Sequence, residues 1–253
     1  MKINSWTILI FFFPAIFIIC NKLVTSPGKA CSQIFMDGKP PLVSFITKRL
    51  PVHCYHYYAS ALYPDFPEPV WSAEHLTREQ ILQATRLKRT GKFSSKDPIL
   101  RNYRNAGFVE RGHMTPSGDA PTPETQQETF TWMNVVPQTP QLNRFKWNWI
   151  EQHIRHYTIE KGEIFVVTGP LFDKKQKPAT IGYNRLPVPS MIWKAFFVPN
   201  TQEMGAYICQ NNESPTCWIV SVSLLTKNLG IDPFPGVNQT FKEIKANLPK
   251  PEM

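Results

Sequence analysis

The chain has 253 residues, 42% of them hydrophobic and 19% charged, and a formal net charge of +9. That length and apolar content suffice for one large domain with a real core, and with neither repeats nor a low-complexity linker they exclude a repeat array. The positive balance favours polyanions and non-specific phosphate contacts, although basic exported proteins share it.

The N-terminus reads as a secretory signal: Lys2 precedes an apolar stretch from Trp6 to Cys20, shorter than the twenty or so residues a membrane span needs. Gly28-Lys29-Ala30 offers a cleavage point that leaves residues 31–253 as the mature domain. The expected location is therefore secreted or periplasmic, with no stable membrane association after cleavage. An uncleaved signal anchor is the alternative. Cys20 lacks the small preceding residues of a lipoprotein signal. Past the signal stand Cys31, Cys54, Cys209 and Cys217, an even count that suggests two disulfides and allows three pairings. Cys31–Cys54 and Cys209–Cys217 are favoured, because each pair brackets a short loop. The spacings are not those of a zinc site.

Residues 31–72 are rich in proline and aromatics and are expected to wrap the core. A short helix is predicted over Thr77–Thr85, opened by Thr77 as N-cap. Arg86–Arg104 is a basic stretch that either faces substrate or forms a solvated loop, with Arg89 the candidate phosphate contact. Gly107–His113 and Thr131–Val136 read as strands, Pro121–Glu128 as a loop entering a helical turn, and Leu142–Tyr157 as a helix. Ile164–Thr168, Met191–Val198, Tyr207–Cys209 and Cys217–Val222 read as strands by their β-branched and aromatic content. Phe241–Asn247 is a candidate last helix. The pattern is α+β: a mixed, largely antiparallel sheet flanked by helices.

Chemistry concentrates between residues 110 and 155. Cutting a phosphodiester requires a base for water, neutralised phosphate charge and a proton for the leaving oxygen. His113 suits the first task, since imidazole titrates near neutrality. A hard cation suits the others, because Mg²⁺ takes oxygen ligands and binds through few protein groups. The amide oxygen of Asn143 is a candidate ligand, and Arg111 and Arg155 are candidate phosphate clamps. At about 100° per residue, Trp147, Ile150 and Ile154 fall within about 40° of Asn143 as an apolar stripe, with Glu151 and Arg155 on one flank at about 80° and 120°. His153 and His156 fall away from that flank. His53, His56 and His75 read as structural or surface residues. Asn212-Glu213-Ser214 and Asn238-Gln239-Thr240 fit glycosylation acceptors.

Four blocks carry a family resemblance: ERGHMTPSGD (110–119), TFTWMNVVPQ (129–138), LNRFKWNWIEQHIR (142–155) and VVTGPLF (166–172). In order and spacing they resemble the DNA/RNA non-specific endonuclease family, the ββα-metal nucleases, over about residues 31–230. The resemblance implies His113 as general base and Asn143 as the sole direct protein ligand of Mg²⁺, with Mn²⁺ as a substitute. It implies Glu151 holding the metal's waters, and Arg155 and Arg111 at the phosphate. It further implies single- and double-stranded DNA and RNA as substrates, and it allows a homodimer. Asn134 is expected to orient the site, and Asp119 to stabilise its loop. One departure stands out: the family's first motif residue is usually Asp, and here it is Glu110. The extra methylene could displace a carboxylate that supports the site. A catalytically impaired nucleic-acid-binding protein of the same fold is therefore the competing reading, and hydrolysis of a smaller phosphodiester is a third.

Overall fold

The structure, a computed structural model, describes residues 31–251 except 49, 65, 66, 174 and 176. The expected signal, residues 1–30, lies outside the described residues. Among the described residues no helix is long and apolar enough to cross a membrane.

In chain order the strands are β1 (Leu42–Val43), β2 (Val52–Cys54), β3 (Tyr58–Leu62), β4 (Pro69–Thr77), β5 (Glu110–His113), β6 (Val135–Gln138), β7 (Glu163–Leu171), β8 (Thr180–Ile181), β9 (Leu186–Pro187), β10 (Met191–Val198), β11 (Glu203–Gln210), β12 (Cys217–Val220) and β13 (Ile231–Asp232). Seven of them form one sheet in the order β12-β11-β10-β7-β4-β3-β2. Every neighbouring pair in it is antiparallel. The fold is α+β, as the pattern predicts.

The central strands are buried on both faces, so their side chains divide by period two between two cores. From β7 and β10, Phe165, Val167, Trp193, Ala195 and Phe197 face one core, with Phe35, Leu225 and Phe234 packed on them. Ile164, Val166, Ile192, Phe196 and Val198 face the other, against Met114, Leu142, Trp147, Ile150 and Ile154. The second core docks the long helix Asn148–Lys161 and the β5–β6 hairpin on one side of the sheet. Gly162, at φ 93°, ends that helix with its N–H on the Thr158 carbonyl, and Arg78 donates to the Ile159 and Glu160 carbonyls.

Several boundaries differ from expectation. Residues 31–72 do more than wrap the core: β3 and the start of β4 lie inside the sheet, concealed in the sequence by prolines and small residues. The strand expected from Gly107 begins at Glu110, after a turn. The strand expected from Thr131 begins at Val135, after a 3₁₀ turn over Trp132–Asn134 capped by Thr131. The last helix covers Gln239–Glu243 rather than Phe241–Asn247, because the Asn238 side chain accepts from the Thr240 N–H and caps it early. Met191–Val198 is β10 residue for residue.

Disulfides join Cys31 to Cys54 and Cys209 to Cys217, with Cα separations of 5.8 and 4.1 Å. The first fastens the N-terminal segment to edge strand β2, the second clamps β11 to edge strand β12. Replacing both Cys31 and Cys54 by Ala lowers unfolding stability by about 3 kcal/mol through loop-closure entropy; urea titration of the double variant against the parent checks this.

Candidate active site

His113 ends β5, which pairs with β6 in the register Glu110↔Gln138 to His113↔Val135. The hairpin packs beside the helix formed by Leu142–Trp147 and Asn148–Lys161, completing a ββα unit. The helix opens with a wide π turn over Leu142–Trp147. One extra residue in a turn rotates everything after it back by about 100°. Glu151 and Arg155 therefore swing from the flank predicted by regular helical spacing towards the direction of Asn143. His113, Asn143, Glu151 and Arg155, framed by Arg89 and Arg111, line one cavity of about 430 Å³.

The imidazole of His113 is buried between aromatic rings, 5.3 Å from Phe93 and 4.9 Å from Phe130 between centroids. Burial, with the positive charge of Arg89, holds it down at about 3. It is neutral at physiological pH, and its basicity is lowered. Among the described residues its Nε2 has no hydrogen-bond partner, so orientation comes from the chain on either side. Asn134, fully buried, does that work. Its carbonyl accepts from the Met114 N–H, its Oδ1 accepts from Thr115 N–H at 3.0 Å, and its Nδ2 donates to the Thr115 and Thr129 carbonyls at 2.9 and 3.2 Å.

Glu110 carries the other half of the arrangement. Its Oε2 accepts from Asn143 Nδ2 at 2.8 Å, and its Oε1 accepts from Arg144. These two bonds, Arg144 first, hold the carboxyl below the usual range. With Nδ2 committed to Glu110, the atom of the Asn143 amide left to ligate is its oxygen. Arg155 is tied to Asp119 at 2.7 Å. Gly118 lets the guanidinium pass, since a Cβ there would lie 3.1 Å from Arg155 Nη1. Asp119 thus orients Arg155 as well as ending its loop. Burial pushes Glu151 up to about 7, against the opposing charges of Lys194 and Arg155.

The basic stretch 86–104 contributes Leu87 and Arg89 to the lining of the cavity. Gln126 Oε1 accepts from the Thr90 and Gly91 N–H groups at 2.7 and 3.1 Å, clipping that stretch to the helix Pro123–Glu128, which has a Thr122–Thr125 capping box. Arg89 lies 5.1 Å over Phe130. Arg111 lies 5.4 Å over Phe93 and 5.5 Å over Tyr103, and donates to the Leu100 carbonyl. His53, His56, His75, His153 and His156 do not line this cavity. His75 bonds Glu163, His56 bonds Glu128, and His153 stacks between Trp149 and Tyr157.

Sequence reasoning missed the floor of the site. Glu74, Thr168 and Lys194 are buried polar residues on the sheet face beneath the helix. The available signal was a lone lysine inside the apolar run of β10 and a lone glutamate inside β4.

The sequence pattern of the DNA/RNA non-specific endonuclease family matches residues 43–240. The chain belongs to this family. Its members are divalent-metal-dependent nucleases. The chain is 32% identical over 166 residues to Nuclease C1 of Cunninghamella echinulata var. echinulata, covering 58% of this chain and 66% of that protein. It is 32% identical over 139 residues to a salivary endonuclease of Lutzomyia longipalpis, covering 52% and 34%. It is 29% identical over 193 residues to mitochondrial endonuclease G of Homo sapiens, covering 69% and 62%. The chain thus spans between a third and two thirds of these relatives' length. In fold it is similar to a chain in a crystal structure of an EndoG/EndoGI complex, with a TM-score of 0.67 and 24% identity over 79% of this chain and 94% of that one.

Asn134→Ala strands two backbone groups of Thr115 and the Thr129 carbonyl in the interior, and lowers stability by about 3 kcal/mol; thermal unfolding beside Asn134→Asp, which keeps one acceptor, measures it. Glu151 gives a pH-dependent expectation. Its folded value stands above the ordinary 4.5, so its contribution to stability is full below about 4.5 and is lost as pH rises through about 7. In chelator-treated protein, Glu151→Gln therefore raises stability at pH 8 by on the order of 1–3 kcal/mol and changes it little at pH 4. Urea titrations at both pH values test this, and equal shifts at the two would refute it.

Proposed function

We propose that this chain is an exported, Mg²⁺-dependent, sugar-non-specific endonuclease that hydrolyses phosphodiester bonds of DNA and RNA, single- and double-stranded. One observation carries the reading: a neutral His113 shares a cavity with the Asn143 amide, the Glu151 carboxyl and four arginines, Arg89, Arg111, Arg144 and Arg155. The donor set fits Mg²⁺: the Asn143 amide oxygen would be the one direct protein ligand and the Glu151 carboxyl would hold the metal's waters, with no thiol among the cavity residues, and Mn²⁺ would find the same ligand acceptable. When bound, the metal supplies charge neutralisation at the phosphate and at the departing oxygen.

The protein groups divide the rest. His113 takes the proton of the attacking water. Arg155, braced by Asp119, and Arg111, braced by the Leu100 carbonyl, present guanidinium groups to phosphate oxygens. Arg89 adds positive charge at the cavity mouth, and Glu110 fixes the direction of the Asn143 amide. Two disulfides support passage through an oxidising compartment, and residues 1–30 supply the signal. A nucleic-acid-binding protein without cleavage is the second reading, motivated by Glu110 in place of Asp.

The deciding experiment incubates purified protein with supercoiled plasmid and with RNA, in Mg²⁺ and then in EDTA, beside His113→Ala and Asn143→Ala. The expected result is Mg²⁺-dependent cleavage of both polymers, reduced by a factor of about 10²–10⁴ in His113→Ala, and lost in Asn143→Ala while its circular dichroism is unchanged. Salt-sensitive binding without cleavage in either metal would transfer the function to the binding reading.

A further inference from the structure

Lys194 lies in the middle of β10 and is 1% exposed. Its Nζ donates to the Met114 carbonyl at 3.0 Å and to Thr168 Oγ1 at 2.7 Å. It lies 4.0 Å from Glu74 Oε1 and 5.5 Å from the ring centre of Trp147. These partners span the site. Met114 follows His113 directly. Trp147 stands one helical turn before Glu151, and Lys194 is the opposing charge that Glu151 feels most strongly. The other charges facing the same space are those of Arg155 and Asp119.

We propose that Lys194 is a positioning residue for phosphodiester cleavage: its ammonium locks the Met114 carbonyl, and with it the His113 end of β5, against the helix that carries Asn143 and Glu151. A methionine would fill the same volume without the cost of desolvating an ion, so packing alone does not call for a charge here. The ammonium instead lets one atom hold the sheet, by a hydrogen bond to Thr168, and the hairpin, by one to the Met114 carbonyl, with the Glu74 carboxyl 4.0 Å away. Trp147 presents the ring face that a cation favours. The kinetic part of the inference rests on the nuclease reading above.

The test compares Lys194→Met and Thr168→Val with the parent protein and with His113→Ala. It uses steady-state plasmid cleavage in Mg²⁺ and amide hydrogen exchange in the metal-free protein. Lys194→Met is expected to lower kcat by about 100-fold, as a small misplacement of reacting groups does, with KM within about threefold of the parent. Thr168→Val, which keeps the lysine and removes one acceptor, is expected to lower kcat by about tenfold. Exchange is expected to quicken at residues 113–115 and 147–151 while β7 stays protected. A folded Lys194→Met with kcat within about threefold of the parent, or unchanged exchange at both segments, overturns the proposal. If Lys194→Met does not fold, Thr168→Val decides: parental kcat and exchange overturn the proposal. A parent protein that does not cleave sinks the nuclease reading instead, and the exchange measurement still decides whether Lys194 pins the hairpin.

Discussion

Taking an ammonium out of water costs several kcal/mol unless its donors and its charge are met, and the centre of this molecule is arranged around that cost. The register places Ser72, Thr168 and Lys194 side by side across β4, β7 and β10, a polar row on a sheet face otherwise filled by Val166, Ile192 and Phe196. Ser72 shares a 2.7 Å hydrogen bond with Thr115, two residues past His113. The row therefore ties the sheet to the hairpin by two routes, Lys194 to Met114 and Ser72 to Thr115. An apolar sheet face would dock the hairpin through non-directional contacts. Hydrogen bonds add direction, which a reacting imidazole needs.

The same economy runs through the rest of the site. Three side chains that line the cavity are each held by one hydrogen bond. Asp119 holds Arg155 by Nη1, Leu100 holds Arg111 by Nη2, and Glu110 holds Asn143 by Nδ2. His113 is the exception: it packs between Phe93 and Phe130, and its direction comes from the hydrogen bonds Asn134 makes to the two following residues. An aromatic wall keeps the base neutral by excluding water, and Arg89, resting on the Phe130 ring, adds positive charge in the same sense. Glu74, wholly buried, is pushed well above the usual carboxylate range by burial and by Asp119.

What could be read from the sequence was whatever is local. The apolar stripe Trp147, Ile150 and Ile154, the cap at Thr77 and the order of the four blocks depend on neighbours in sequence, and they located the ββα unit. The angular relation of Asn143 to Glu151 was not legible, because regular helical spacing does not announce the π turn over Leu142–Trp147 that adjusts it. Strands β3 and β4 were not legible either: YASAL has little β-branched content, and β4 opens on Pro69 after a proline-rich run. Lys194 was visible as an oddity in MIWKAFFV but could not be interpreted, since its partners lie 26, 80 and 120 residues away in Thr168, Met114 and Glu74. Contacts across such separations carry no signal in a single sequence.

Glu110 is where local and tertiary arguments disagree. By motif, an extra methylene in place of the usual Asp threatens a carboxylate that must meet Asn143. In three dimensions the longer side chain reaches from the first residue of β5 across to the π turn, and both oxygens are used, one on Asn143 and one on Arg144. A wider first turn sets the Asn143 amide where a longer carboxylate can meet it, and Arg144, the next residue, takes the second oxygen. The carboxyl is thereby kept ionised, so the Asn143 amide must present Nδ2 to it and oxygen elsewhere. A protein that only bound nucleic acid would need the arginines but would have no use for the fixed orientation of one neutral amide. That orientation survives here despite the substitution most able to disturb it, and it weighs towards chemistry over binding alone.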